Sequence, residues 1–116
     1  MTIPHPPACS EVGLPDPEPM TGERIALVAK ALSHPARIRI LEQFGDCQPK
    51  TVQDIVAECR LAQSTISEHL RVLRHADVLC RTKDGPRSWY CLRRSVLLQF
   101  TRAVKDLAAI PARTQE

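Results

Sequence analysis

Residues 63–73 read Gln63-Ser64-Thr65-Ile66-Ser67-Glu68-His69-Leu70-Arg71-Val72-Leu73, and a helical wheel sorts them into two faces. At roughly 100° per residue, Ile66, Leu70 and Leu73 fall on one stripe at i, i+4 and i+7. Ser64, Thr65, Ser67, Glu68, Arg71 and His75 fall on the opposite side. A helix that enters a DNA major groove needs hydrogen-bonding side chains outside, short near its N-terminus so that the backbone approaches closely. Gln63, Ser64 and Thr65 have that chemistry, and a helix N-terminus is itself a favourable place for a phosphate. Every amphipathic surface helix has a polar face, however, so the neighbouring segments decide the reading.

Upstream, Thr51 and Asp54 stand at capping-box spacing, with Asp in place of the preferred Glu or Gln. They open a short helix that stops near Cys59, with Val52, Ile55 and Val56 as its inner side. Arg60 to Ala62 leave room only for a tight connection. Downstream the period changes. Val78–Lys83 and Arg87–Leu92 are strand-like runs, the second carrying Trp89 and Tyr90, and they flank the turn signal Asp84-Gly85-Pro86. Helix, tight turn, helix and hairpin, in that order, make a winged helix-turn-helix. Arg81, Lys83 and Arg87 gather around the hairpin tip, where they reach phosphates or the minor groove.

Two helices precede this unit. Ile25, Val28, Ala29 and Leu32 place the first between Gly22 and about Ser33. Pro35 suits the first turn of the second, whose apolar set is Ile38, Ile40, Leu41 and Phe44 and which closes at Gly45. Asp46 to Lys50 read as a turn. A last helix, from about Arg93 to Ala109, carries Val96, Leu97, Phe100, Val104 and Leu107. That apolar set is broad for a lone surface helix and predicts burial against a second chain. The expected fold is mainly α with a β-hairpin wing, in the order α-α-α-α-β-β-α. It forms one domain over 22–110, after an extended arm at 1–21 and before a short tail at 111–116. Six of the ten prolines (Pro4, Pro6, Pro7, Pro15, Pro17 and Pro19) lie in the arm.

With 116 residues there is room for one domain. An apolar fraction of 43% with only 3% aromatics fits a small aliphatic core, to which a dimer interface would add burial. The net charge of +3 permits a nucleic-acid partner without demanding one. No run of about 18 apolar residues and no signal-peptide pattern is present, so a cytoplasmic protein with no membrane partner is expected. Cys9, Cys47, Cys59, Cys80 and Cys91 are scattered, with no C-x-x-C pair, which argues against a disulfide scaffold or a zinc finger.

Three segments carry a family resemblance. Ala31-Leu32-Ser33-His34-Pro35-Ala36-Arg37-Ile38-Arg39-Ile40-Leu41 resembles the second-helix signature of the ArsR/SmtB regulators, and residues 63–73 resemble their recognition helix. Asp84-Gly85 through Trp89-Tyr90 resembles their wing, so the likeness spans about 23–109 in the right order. It implies a homodimer formed through the first and last helices, operator DNA as partner, and repression relieved by an inducer. It also places His69 in the recognition-helix motif with Gln63, Ser64, Thr65, Ser67, Glu68 and Arg71.

The family's inducer sites differ, so their ligands must be sought position by position. One site uses Cys-x-Cys-Asp on the third helix. Here those positions hold Thr51-Val52-Gln53-Asp54, without thiols. Another uses His and acidic ligands on the last helix, where this chain has Ser95, Gln99 and Arg102. A third combines arm thiols with one just before the third helix of the partner, and Cys9 and Cys47 stand at matching places. Thiolates suit As(III) or Sb(III). Ser10 replaces the second arm thiol of that pattern, leaving His5 or Cys59 as third ligand, although Cys59 also reads as a core residue. Cys80 and Cys91 face each other if the hairpin folds symmetrically about Gly85-Pro86, either as packing within the wing or as a redox pair.

These features support a repressor released by a thiol-binding inducer. They leave open a redox- or sulfide-responsive repressor of the same fold, and a small thiol metal-binding or interaction protein that binds no operator. No nucleophile–base constellation, phosphate-cradling glycine loop or catalytic carboxylate pair is recognisable, so no enzyme and no required cofactor are expected.

Overall fold

Apolar residues recurring every third or fourth position fold residues 18–111, the part of the chain that the computed structural model describes, into five α-helices and a hairpin. The helices are α1 (Gly22–Ala31), α2 (Pro35–Glu42), α3 (Val52–Cys59), α4 (Gln63–His75) and α5 (Arg94–Ala108). The strands β1 (Leu79–Asp84) and β2 (Arg87–Leu92) lie between α4 and α5. This is the expected order, with one local change. Helix α2 ends before Gly45 and tightens into a 3-10 turn over Gln43–Asp46, closed by Cys47 in the left-handed region at φ 62°. A 3-10 turn is a common way to satisfy the last carbonyls of a helix.

The capping box of α3 is complete. The Thr51 N–H donates to Asp54 Oδ2 at 2.9 Å, and the Asp54 N–H donates to Thr51 Oγ1 at 3.2 Å. Thr21 caps α1 in the same manner, accepting from the Arg24 N–H at 3.2 Å. One core joins the layers: Val28 of α1, Ile40 of α2, Ile55 of α3, Ile66, Leu70 and Leu73 of α4 and Leu79 of β1 are all but fully buried around Phe44. Each contributes about 1.5–3 kcal/mol by leaving water. The inner stripe of α4 is therefore anchored as the wheel requires, which leaves its other face outward.

The hairpin pairs Asp84 with Arg87 at the tip and runs in register through Cys80 opposite Cys91 to Leu79 opposite Leu92. Gly85 has φ +62°, and the ring of Pro86 locks the next φ negative. That sign pattern belongs to a type II′ turn, whose twist matches the strands. The segment read as a plain turn does more: Lys50 and Tyr90 exchange two backbone hydrogen bonds, of 2.9 and 2.8 Å. This bridge ties the wing to the residue just before the α3 cap. Among the described residues, no helix is long and apolar enough to cross a membrane.

Candidate nucleic-acid interface

On α4, Gln63, Ser64, Thr65, Ser67, Glu68 and Arg71 are all exposed. Ala62 precedes the helix and offers no side-chain cap, so the first-turn N–H groups receive no acceptor from it, in contrast to α1 and α3. The Arg71 guanidinium grips the Glu68 carboxylate with two contacts, Nε to Oε2 at 3.0 Å and Nη2 to Oε1 at 2.6 Å. This pairing holds the Glu68 carboxyl below its usual range and lays the Arg71 side chain along the helix surface.

His69 departs from that face. It is only 8% exposed, because position 69 is three residues from Ile66 and four from Leu73 and so rides the edge of the inner stripe. Its Nδ1 accepts from Arg37 Nε at 3.3 Å, and its ring lies 4.7 Å from that of His34. Arg37 also donates through Nη1 to the carbonyls of Lys30 and Ala31, at 3.1 and 3.4 Å. One guanidinium thus fastens the end of α1 and the middle of α4 to α2. His34 caps α2, its Nδ1 accepting from the Ala36 N–H at 3.1 Å. Sequence reasoning quoted this segment but assigned Arg37 no role. The signal was present, since an Arg in the first turn of a helix opposes the dipole and needs another reason to be there.

On the wing, Arg81, Lys83 and Arg87 are exposed. Alternation puts Lys83 and Arg81 on one face of the ribbon and Arg87 on the other, so the tip is basic on both sides. Asp46 sits near the root, accepting from Lys50 Nζ at 2.7 Å and from the Gln48 N–H at 3.0 Å. These bonds draw the Asp46 carboxyl below its usual range, Lys50 contributing most.

The thiols divide by environment. Cys47 is exposed, and its Sγ lies 2.8 Å from Nη2 of Arg94, the first residue of α5, which also reaches the Phe44 carbonyl at 3.3 Å. Cys59 is buried in the core, and burial pushes its thiol up, against the opposing pull of Arg39. That matches its reading as a core residue. Cys9 and His5 lie outside the described residues. Among the described residues, no three His, Cys, Asp or Glu side chains converge as a metal-binding group.

Comparison with known proteins fits this geometry. The family model of the bacterial regulatory proteins of the arsR family matches residues 34–79, from the cap of α2 to the start of β1. The chain is 36% identical over 80 residues to Rv0081 of Mycobacterium tuberculosis, an uncharacterized HTH-type transcriptional regulator, covering 69% of this chain and 70% of that one. It belongs to the arsR family. This arsR-family regulator is also 27% identical over 78 residues to the arsenical resistance operon repressor of Staphylococcus aureus, covering 67% of this chain and 74% of the relative. Its fold matches the homodimeric winged helix-turn-helix DNA-binding domain Mb0332 of Mycobacterium bovis with a TM-score of 0.62. That match has 22% identity and covers 81% of this chain and 88% of the other.

For an arsR-family regulator the outer face of α4 and the wing should fail in different ways. Replacing Ser64 and Thr65 together by Ala should cut discrimination between operator and random duplex by about 10–100-fold, the range of a lost base-edge contact. Arg87→Ala should weaken both duplexes alike and reduce the salt slope by about 1. Titrations of both duplexes over a salt series separate the two, and equal wild-type affinity for any duplex would refute base readout by α4.

Proposed function

We propose that the protein is a dimeric repressor that reads a two-fold operator with α4 and the wing of each protomer and lets go when As(III) or Sb(III) binds. The observation that carries the DNA-binding part is the exposed outer face of α4, held from behind by Arg37 and flanked by a basic wing pinned through Lys50. The dimer reading rests on α5. Leu97 and Phe100, expected at a subunit interface, are half-buried against the protomer's own core, whereas Leu98, Val104, Leu107 and Ile110 stand exposed. Beside them an apolar groove of about 260 Å³ runs between α1 and α5, lined by Met20, Ile25, Ala103 and Leu107. The homodimeric neighbour supports a second copy of this chain as the cover.

The inducer reading rests on Cys47 and its contact. A metalloid bonded to the Cys47 sulfur competes with the Arg94 guanidinium for it and so acts on the first turn of the interface helix. Cys9 of the partner supplies a further thiolate in this reading, and the likeness to an arsenical resistance repressor supports the choice of ligand. Release follows only if the ligand favours a dimer geometry in which the two recognition helices are wrongly spaced, because equal binding to both geometries shifts nothing. The test is As(III)-induced loss of operator binding by wild type, Cys9→Ser and Cys47→Ser. Both variants should keep operator affinity and lose the response. A wild-type response in both would overturn the inducer site and leave the DNA-binding reading intact.

A further inference from the structure

Cys80 and Cys91 occupy directly opposed positions near the root of the wing. The kind of pair they form follows from the bridge on the other edge of β2. Tyr90 spends its N–H and its carbonyl on Lys50, so its backbone polar groups point away from β1. Arg81 and Tyr90 are then a non-hydrogen-bonded pair, and Cys80 and Cys91, one step along, are a hydrogen-bonded pair. In such pairs the α-carbons stand about 5.5 Å apart rather than about 4.5 Å. Facing β-carbons at about 4.5–5.5 Å exceed the roughly 3.5–4.5 Å that an unstrained disulfide requires. An ion bridging two sulfurs has no such difficulty. With a metal–sulfur bond of about 2.3 Å, as in zinc thiolates, the two sulfurs sit anywhere up to about 4.6 Å apart.

The surroundings narrow the ligand. Cys91 is buried and Cys80 half-buried, yet neither is part of the main core cluster. Their side chains belong to the ribbon face opposite to Tyr90 and Leu79, and Cys80 gives that face an opening to solvent. No group of three donors is found among the described residues, which does not suit four-coordinate zinc. Cu(I) is soft, selects thiolates, and is satisfied by two of them. We propose that Cys80 and Cys91 form a bis-thiolate site for Cu(I), separate from the Cys47 site and independent of the inducer reading. On binding, each thiol loses its proton to solvent and two S–Cu bonds form, with no electron transferred.

Trp89, the only tryptophan, reports on this site. It shares the ribbon face of Cys91 and Cys80, two residues from the former, with its Nε1 shielded from solvent. Anaerobic titration of the full chain with Cu(I) should quench Trp89 fluorescence in wild type and in Cys47→Ser alike, and in Cys47→Ser, where the Cys47 site is disabled, the quenching should saturate at one ion per chain. Cys80→Ser and Cys91→Ala should each weaken the quenching phase at least tenfold while keeping the wild-type circular dichroism. Because Cys80 is half-buried, its serine variant tests the site even if Cys91→Ala folds poorly. Unchanged Trp89 emission at saturating Cu(I), or quenching that survives Cys80→Ser, would overturn the proposal. So would ready loss of two hydrogens to diamide at this pair in a protein that takes up no Cu(I), which would make it a redox pair instead.

Discussion

Leu107→Glu is expected to convert the proposed dimer into monomers and to lower operator affinity by about a thousandfold or more. Leu107 is 55% exposed on α5 and lines the groove against Met20 and Ile25, so it has little role in the protomer's own core. A carboxylate there would have to be buried unpaired in the interface, at a cost of several kcal/mol. The loss in affinity is larger than one contact because each protomer then binds one half-site alone. Specific complexes exceed non-specific ones by about 10³–10⁷, and most of that margin requires both half-sites. Sedimentation should give a 13.0 kDa species, with melting behaviour close to that of the wild-type protomer. Ile110→Glu, at 63% exposure and lining the same groove, is the second variant. If both remain dimeric, α5 is not the interface.

The second large effect concerns the clamp behind α4. Arg37→Met should remove the guanidinium contacts to His69, Lys30 and Ala31 and leave the His69 Nδ1 acceptor buried and unsatisfied. An orphaned buried polar group costs about 1–3 kcal/mol, so the folding constant should fall by up to about a hundredfold. The same contact gives a pH dependence. Burial first, then the neighbouring His34 and Arg37 charges, hold the His69 pKa below its ordinary value of about 6.5, against a weaker opposing pull from Glu68. The unfolded chain therefore binds a proton before the folded one does. The stability held by neutral His69 is present above about pH 6.5 and drains away as pH falls through the lowered folded value. Melting temperature should drop between pH 7 and 5 in wild type and drop less in His69→Leu. Equal slopes would show that His69 does not carry the effect.

What was readable in the sequence was whatever rests on local spacing. The Ile66–Leu70–Leu73 stripe, the Thr51–Asp54 box and the Gly85-Pro86 turn each involve neighbours within a few residues, and the elements they define stand where their spacing puts them. Contacts between segments were not readable. Nothing near Lys50 announces Tyr90, forty residues on, and nothing near Cys47 announces Arg94. On α5, apolar spacing showed one broad set but not how the protomer divides it: Leu97 and Phe100 pack half-buried on the protomer's own core, while Val104 and Leu107 stand exposed. His69 was grouped with the groove-facing residues through its motif, while its spacing from Ile66 and Leu73 already assigned it to the inner edge. Cys9 lies outside the described residues, so its part in an inducer site stands as a proposal.

The two hydrogen bonds between Lys50 and Tyr90 bear on how release can happen at all. They couple the hairpin to the start of α3, and Arg37 couples α4 to α1 and α2, so the parts proposed to read DNA are tied into one unit within each protomer. In the proposed dimer, the joint left to the proposed inducer is the seam between two such units. On the proposed function, a tilt at that seam moves both reading helices together, so occupancy of one site per dimer should already disengage both half-operators, and the response to inducer concentration should be set by dimers rather than by protomers.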